Sequence, residues 1–137
     1  MTTAASVTLR GDPDSAGFWA AVDAGALALC RCAECRSWLQ PPLERCRHCG
    51  AATAFEPATG RGVVYSYIVV RHKGITPFAD DVPYVVVLVE LDEGVRLPGR
   101  LLDGPDSGVQ IGQAVNVEIV DSPSGEQNVA FRLDDTD

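Results

Sequence analysis

The sequence has no apolar run that could cross a bilayer as a helix. Its longest, in PYVVVLVEL, falls far short of the ~20 residues such a span needs. The first residues, MTTAASVTLRGDPD, lack the basic start and apolar stretch of a secretory signal, so a cytoplasmic, reducing location is expected. Histidine is nearly absent, with two in 137 residues, and no ordering of Ser, His and Asp suggests an activated nucleophile. That scarcity argues against a catalyst acting by itself. Bases are few as well: eleven Lys and Arg face nineteen Asp and Glu, a net charge of −8, which opposes generic nucleic-acid binding. With 46% apolar and 22% charged residues, the chain reads as one compact unit, or one core with a small appended module.

Cysteine is missing everywhere except residues 29–50, LCRCAECRSWLQPPLERCRHCG, which hold all five. In a reducing compartment such a cluster binds metal more readily than it forms disulfides. Cys32-Ala-Glu-Cys35 and Cys46-Arg-His-Cys49 are two CxxC pairs ten residues apart. Each turn converges two thiolates on one ion and aims backbone N–H groups at the sulfurs, so two knuckles complete a tetrahedral site suited to zinc, with iron a ligand-equivalent alternative. A thioredoxin-type redox pair does not fit, because a Pro-Pro loop joins the two motifs instead of a βαβ setting. Four thiolates leave no open position, so the predicted zinc is structural. Gly50 follows the second knuckle where positive φ is often wanted, and Arg36 holds the matching place after the first. Cys30 is expected to be a buried small hydrophobe on the face of Cys32, and His48 a solvent-facing spacer.

Upstream, DPDSAGFWAAVDAG predicts a short helix capped by Asp12, with Pro13 in its first turn and Gly25 at its end. Phe18, Trp19 and Val22 form its apolar stripe. So small a ribbon offers that stripe little core, so Phe18 and Trp19 are candidates for contact with another chain. Downstream, five segments of period two and β-branched composition follow, punctuated by Gly and Pro: GVVYSYIVVRH, PYVVVLVEL, GVRLPGRLLD, QAVNVEIVD and NVAFRLDD. They predict a five-stranded Greek-key barrel such as the OB-fold. The run Val85 to Val89 is apolar on both faces, which calls for cover by the helix and ribbon or by a partner. From Arg31 to Lys73, seven bases face three acids, while the rest of the chain has four bases and sixteen acids. This basic zone, with Arg61, Arg71, Lys73 and the loop residue Phe78, is the candidate dock for an anionic ligand or a partner.

The order of these parts resembles a known family. The FW helix, the CxxC and CxxCG knuckles with Pro-Pro between them, then GRGVVYSY, PYVVVLVELDEGVRL and IGQAVNVEI look like the zinc-ribbon and OB-fold proteins catalogued as a domain of unknown function and found beside thiolases. The resemblance spans about residues 15 to 133. It departs at Arg36, where glycine is common, and at Cys30, which is not a family ligand. It implies a mainly β fold: an N-terminal segment with a short helix (1–25), a four-cysteine zinc ribbon (26–56), an OB-fold domain (57–134) and an acidic tail (135–137). It implies ligands Cys32, Cys35, Cys46 and Cys49, and a non-catalytic accessory subunit of a thiolase-like enzyme acting on acyl-CoA, such as a thiolase, acyltransferase or steroid side-chain aldolase. The coenzyme would then lie at the shared interface, with no membrane involved. Two alternatives stand beside it. One is a stand-alone acyl-CoA-binding protein gripping phosphates with Arg61, Arg71 and Lys73 over a cleft between ribbon and barrel. The other is a single-stranded nucleic-acid module using Tyr65 and Tyr67 as stacking platforms.

Overall fold

A computed structural model describes residues 13–71, 82–121 and 126–134. A 3₁₀ turn, Pro13–Ser15, leads into helix α1, Ala16–Asp23. The helix starts from Ser15 without a side-chain cap, and the expected cap, Asp12, lies outside the described residues. It ends as expected: the Gly25 N–H donates to the Val22 carbonyl at 2.9 Å, with Gly25 at φ 83, a conformation glycine takes without penalty.

Three short strands form the ribbon: β1 (Ala28–Cys32), β2 (Trp38–Leu39) and β3 (Thr53–Pro57), in the antiparallel order β2-β1-β3. Five more close into a barrel: β4 (Arg61–Val70), β5 (Tyr84–Leu91), β6 (Arg96–Leu101), β7 (Ala114–Asp121) and β8 (Gln127–Leu133), ordered β4-β5-β6-β8-β7. All neighbours run antiparallel except β6 and β8, whose two parallel pairings, Arg100 with Ala130 and Leu101 with Phe131, complete the closure. The fold is therefore the expected mainly β one, a short helix and four-cysteine ribbon ahead of a five-stranded OB-fold barrel. The GRG motif supplies two close approaches at the start of β4. A side chain at Gly60 would collide with Val117, and one at Gly62 with the Glu90 carbonyl of the adjacent strand.

Strand β5 alternates strictly. Val85, Val87, Val89 and Leu91 are buried in the barrel, while Tyr84, Val86, Leu88 and Glu90 are half-covered on its outside. The helix does find a core, contrary to the expectation drawn from the ribbon's small size. Phe18 and Val22 join Leu27 and Leu29 in the same apolar cluster as the barrel residues Val64, Val87 and Phe131, because α1 packs on β1 and β8 rather than on the ribbon alone. A second, smaller cluster of Cys30, Cys32, Leu39 and Cys46 lies within the ribbon, and Phe55 packs against both.

Candidate metal centre

The two knuckles are built alike. In the first, the Cys32 N–H donates to the Ser37 carbonyl at 2.9 Å; in the second, the Cys46 N–H donates to the Ala51 carbonyl at 2.8 Å, the same five-residue span. Backbone N–H groups of Glu34 and Cys35 point at the Cys32 sulfur, both at 3.4 Å, and that of His48 points at the Cys46 sulfur at 3.3 Å. Arg36 adopts φ 65 and Gly50 φ 78, so the two turns match in shape although only one has the residue that adopts it freely. The turn is the same in both, and Arg36 bears the strain.

These turns bring Cys32, Cys35, Cys46 and Cys49 together, with all four sulfurs within 4.8 Å of one another. Cys32 and Cys49 are 3.5 Å apart and Cys35 and Cys46 3.7 Å. A tetrahedral ion with metal–sulfur bonds of ~2.3 Å sets its sulfurs about 3.8 Å apart, so the donor set has the chemistry and spacing for such an ion. Three of the four thiols depart from the ordinary thiol value. Hydrogen bonds with the Ser37 hydroxyl and its backbone pull Cys35 down to about 6. Against the lowering pull of the Ala51 backbone, the sulfurs of the other three ligands and burial push Cys49 up to about 11. Burial works to raise Cys32, yet the N–H groups of Cys35 and Glu34 hold it below the ordinary thiol value. Because thiolates are the ligating form, loading a metal must expel the thiol protons. Two ligands, Cys32 and Cys46, are buried, whereas Cys35 and Cys49 are exposed. Cys30 is fully buried and donates to the Leu43 carbonyl at 3.4 Å, outside the four-sulfur group. His48 is exposed, as a spacer would be.

Two of the arginines threaded among the cysteines, Arg31 and Arg36, are engaged within the ribbon. Arg36 grips Glu56 with both terminal nitrogens, at 2.8 and 2.9 Å, and Arg31 reaches the same carboxylate at 3.5 Å. Arg31 also donates to the Arg36 carbonyl at 2.8 Å and lies 4.3 Å over the Trp38 ring. Glu56 is thus the anchor that ties the first knuckle to β3, and the hydrogen bond from Arg36 is the main reason its carboxyl sits below the usual range. The sequence offered no reason to single Glu56 out. Its role depends on the pairing of β1 with β3, which sets Leu29 opposite Glu56 and Arg31 opposite Ala54.

The remaining candidates are scattered. Arg61 pairs with Asp92 at 3.4 Å at the start of the barrel. Arg71 is exposed just beyond β4, and Lys73 and Phe78 lie outside the described residues. Phe18 is buried in the core with its ring edge-on to Trp19, 4.8 Å between centroids. Trp19 is half-buried and lines a cleft of about 370 Å³ between the helix, the Pro41-Pro42 loop and the barrel residues Leu97 and Pro98. At its wall, the Gln40 side-chain oxygen is buried without a hydrogen-bond donor. Tyr65, the proposed base platform, is covered by the Arg96 guanidinium, 3.7 Å from the ring centroid, and Arg96 pairs in turn with Glu90.

The chain matches the family described as ChsH2, rubredoxin-like zinc ribbon domain, over residues 19–56, and that described as ChsH2, C-terminal OB-fold domain, over residues 55–120. It is 40% identical over 106 residues to a probable enoyl-CoA hydratase alpha subunit of Thermomonospora curvata, covering 74% of this chain but 32% of that protein. It is 38% identical over 87 residues to a DUF35 domain-containing scaffold protein of Methanocaldococcus jannaschii, covering 62% of this chain and 61% of the relative. The chain thus spans about a third of the first relative and under two thirds of the second. Among solved structures it resembles a chain of the Ltp2-ChsH2(DUF35) aldolase, with a TM-score of 0.82 and 34% identity over 92% of this chain and 98% of that one.

Proposed function

Because the chain belongs to the ChsH2-type family of rubredoxin-like zinc ribbons joined to a C-terminal OB-fold domain, we propose that it is a non-catalytic accessory subunit of a thiolase-like enzyme working on acyl-CoA. In this reading it helps shape or close the enzyme's acyl-CoA site, and the coenzyme lies at the shared interface. The observation that carries the proposal is the near end-to-end likeness to the chain of the Ltp2-ChsH2(DUF35) aldolase. The ion is zinc, held by Cys32, Cys35, Cys46 and Cys49; bound there, it supplies folding free energy to the ribbon and no chemistry.

Arg31, Arg36, Arg61, Arg96 and Arg132 each have a carboxylate partner within this chain. Within the basic zone this engages Arg31 and Arg36, which share the one carboxylate of Glu56, and Arg61. Tyr65 has one ring face occupied by Arg96. The test is co-expression with a thiolase-like subunit from the same organism. A stable complex that turns over acyl-CoA, with the separated chain inert, is the expected result; turnover by the purified chain at the rate of the complex would sink the proposal.

The cleft beside Trp19 favours one alternative, a stand-alone acyl-CoA-binding protein, since it is apolar and offers one unpaired acceptor. Calorimetry of the isolated chain with acyl-CoA separates the two readings. Micromolar binding without a partner favours the carrier, and its absence favours the subunit.

A further inference from the structure

Strand β4 is ten residues long, but it is paired on both edges only for its first part. On one edge β5 accompanies it from Gly62 to Val70, with a bulge between Val64 and Ser66. On the other, β7 pairs with Arg61 to Val63, and the last contacts are those of Val64 with Gln113 and Gly112, at 2.9 and 2.8 Å. From Tyr65 to Val70 that second edge has no backbone partner among the described residues. The segment reads YSYIVV, without charge and without proline. Natural sheets usually protect such an edge with lysine, proline or an inward charge, and none of these stands here. Its side chains are exposed too. Tyr65, Tyr67 and Ile68 are 44, 40 and 61% exposed, and with Val63 they make four of the five large apolar side chains exposed among the described residues.

Resting on the subunit reading above, we propose that the Tyr65–Val70 half of β4 is an open sheet edge to which the enzyme subunit adds an extended, uncharged strand. Main-chain hydrogen bonds would supply affinity, and side chains alternating along the added strand would meet Tyr67 and Ile68. The edge is already held in extended form by its pairing with β5, so little conformational entropy is lost on docking. A second copy of the chain is the competing occupant. It is disfavoured because each copy carries a net charge of −8, which opposes self-association. The segment itself carries no charge for an anionic ligand; of the arginines around it, Arg61 and Arg96 are paired with Asp92 and Glu90, and Arg71 is exposed at its end.

The experiment compares wild type, Ile68→Lys and Asp23→Lys in complex formation with the thiolase-like subunit, together with amide hydrogen exchange of the wild type. Ile68 is largely solvated, so its lysine variant should fold and melt as wild type does. Asp23 lies at the end of α1, which packs on β1 and β8, and provides a lysine elsewhere. The expected result is a loss of affinity of about tenfold or more for Ile68→Lys alone. Alternate amides between Tyr65 and Val70 should also slow on complex formation. A complex formed equally well by Ile68→Lys, or one that leaves those amides unprotected, overturns the edge assignment and leaves the subunit reading standing. Failure of the wild type to bind overturns both. Concentration-dependent dimers of the isolated chain that protect the same amides assign the edge to a second copy and overturn the partner strand.

Discussion

Arg36 stands in the left-handed region at φ 65, where a side chain costs about 1 kcal/mol or more relative to glycine. Its bidentate grip on Glu56 offsets part of that cost. The two effects separate in a pair of variants. Arg36→Gly loses the ion pair but relieves the backbone, and should change stability by less than about 1 kcal/mol. Arg36→Ala loses the pair and keeps the strain, so it should be less stable than the glycine variant by about 1 kcal/mol in urea unfolding of the metal-loaded protein. Glu56 predicts a pH effect of definite sign. Its folded carboxyl lies below the ordinary 4.5, so the clamp contributes fully above that value and fades as the pH falls through the lower, folded value. The stability gap between wild type and Glu56→Gln should therefore narrow on acidification below pH 4.5. A gap that widened there would assign the stabilisation to another group. The comparison is made with the metal bound, because loss of the ion opens the ribbon that holds the clamp.

At the scale of elements, α1 is tied to the barrel by Phe18 and Val22, 7 and 0% exposed, which share a cluster with residues of β4, β5 and β8. Truncating a buried phenylalanine removes its transfer free energy and leaves a cavity, so Phe18→Ala should cost about 3 kcal/mol. Because the helix and barrel share one core, the loss should appear as a lower midpoint of a single barrel transition. Fraying of the helix alone, with the barrel midpoint unmoved, would show that the two are not coupled.

For the whole molecule, the presence of two clusters determines the response to metal removal. The ribbon cluster consists of Cys30, Cys32, Leu39 and Cys46, three of them cysteines and two of those ligands, so little apolar surface remains to hold it without an ion. The barrel cluster draws its strands from elsewhere and is far larger. Chelation should open the ribbon and make the cysteines reactive to a thiol reagent, while amide protection in β5 and β8 persists. The link between the clusters is Phe55, together with Leu27 and Leu29 in the main core, so the barrel should lose some stability without unfolding. Collapse of all protection on chelation would show a single cooperative unit.

The sequence by itself determined which four cysteines converge and where the strands lie, since both are written in short-range patterns. Two CxxC motifs ten residues apart leave four thiolates one economical arrangement, and β-branched runs punctuated by Gly and Pro mark the strands. Tertiary structure alone decided where the charges go. Whether Arg31 and Arg36 face a ligand or a carboxylate depends on Glu56, twenty residues or more away, arriving on the neighbouring strand. Whether Tyr65 is an open platform depends on Arg96 arriving on β6. That β7 stops pairing with β4 after its first residues is equally invisible in the sequence, because YSYIVV reads as strand whether or not β7 extends far enough to pair with it. Periodicity records which side of a strand is buried; it does not record which strand lies beside it, and that pairing sets both the charge balance and the docking edge.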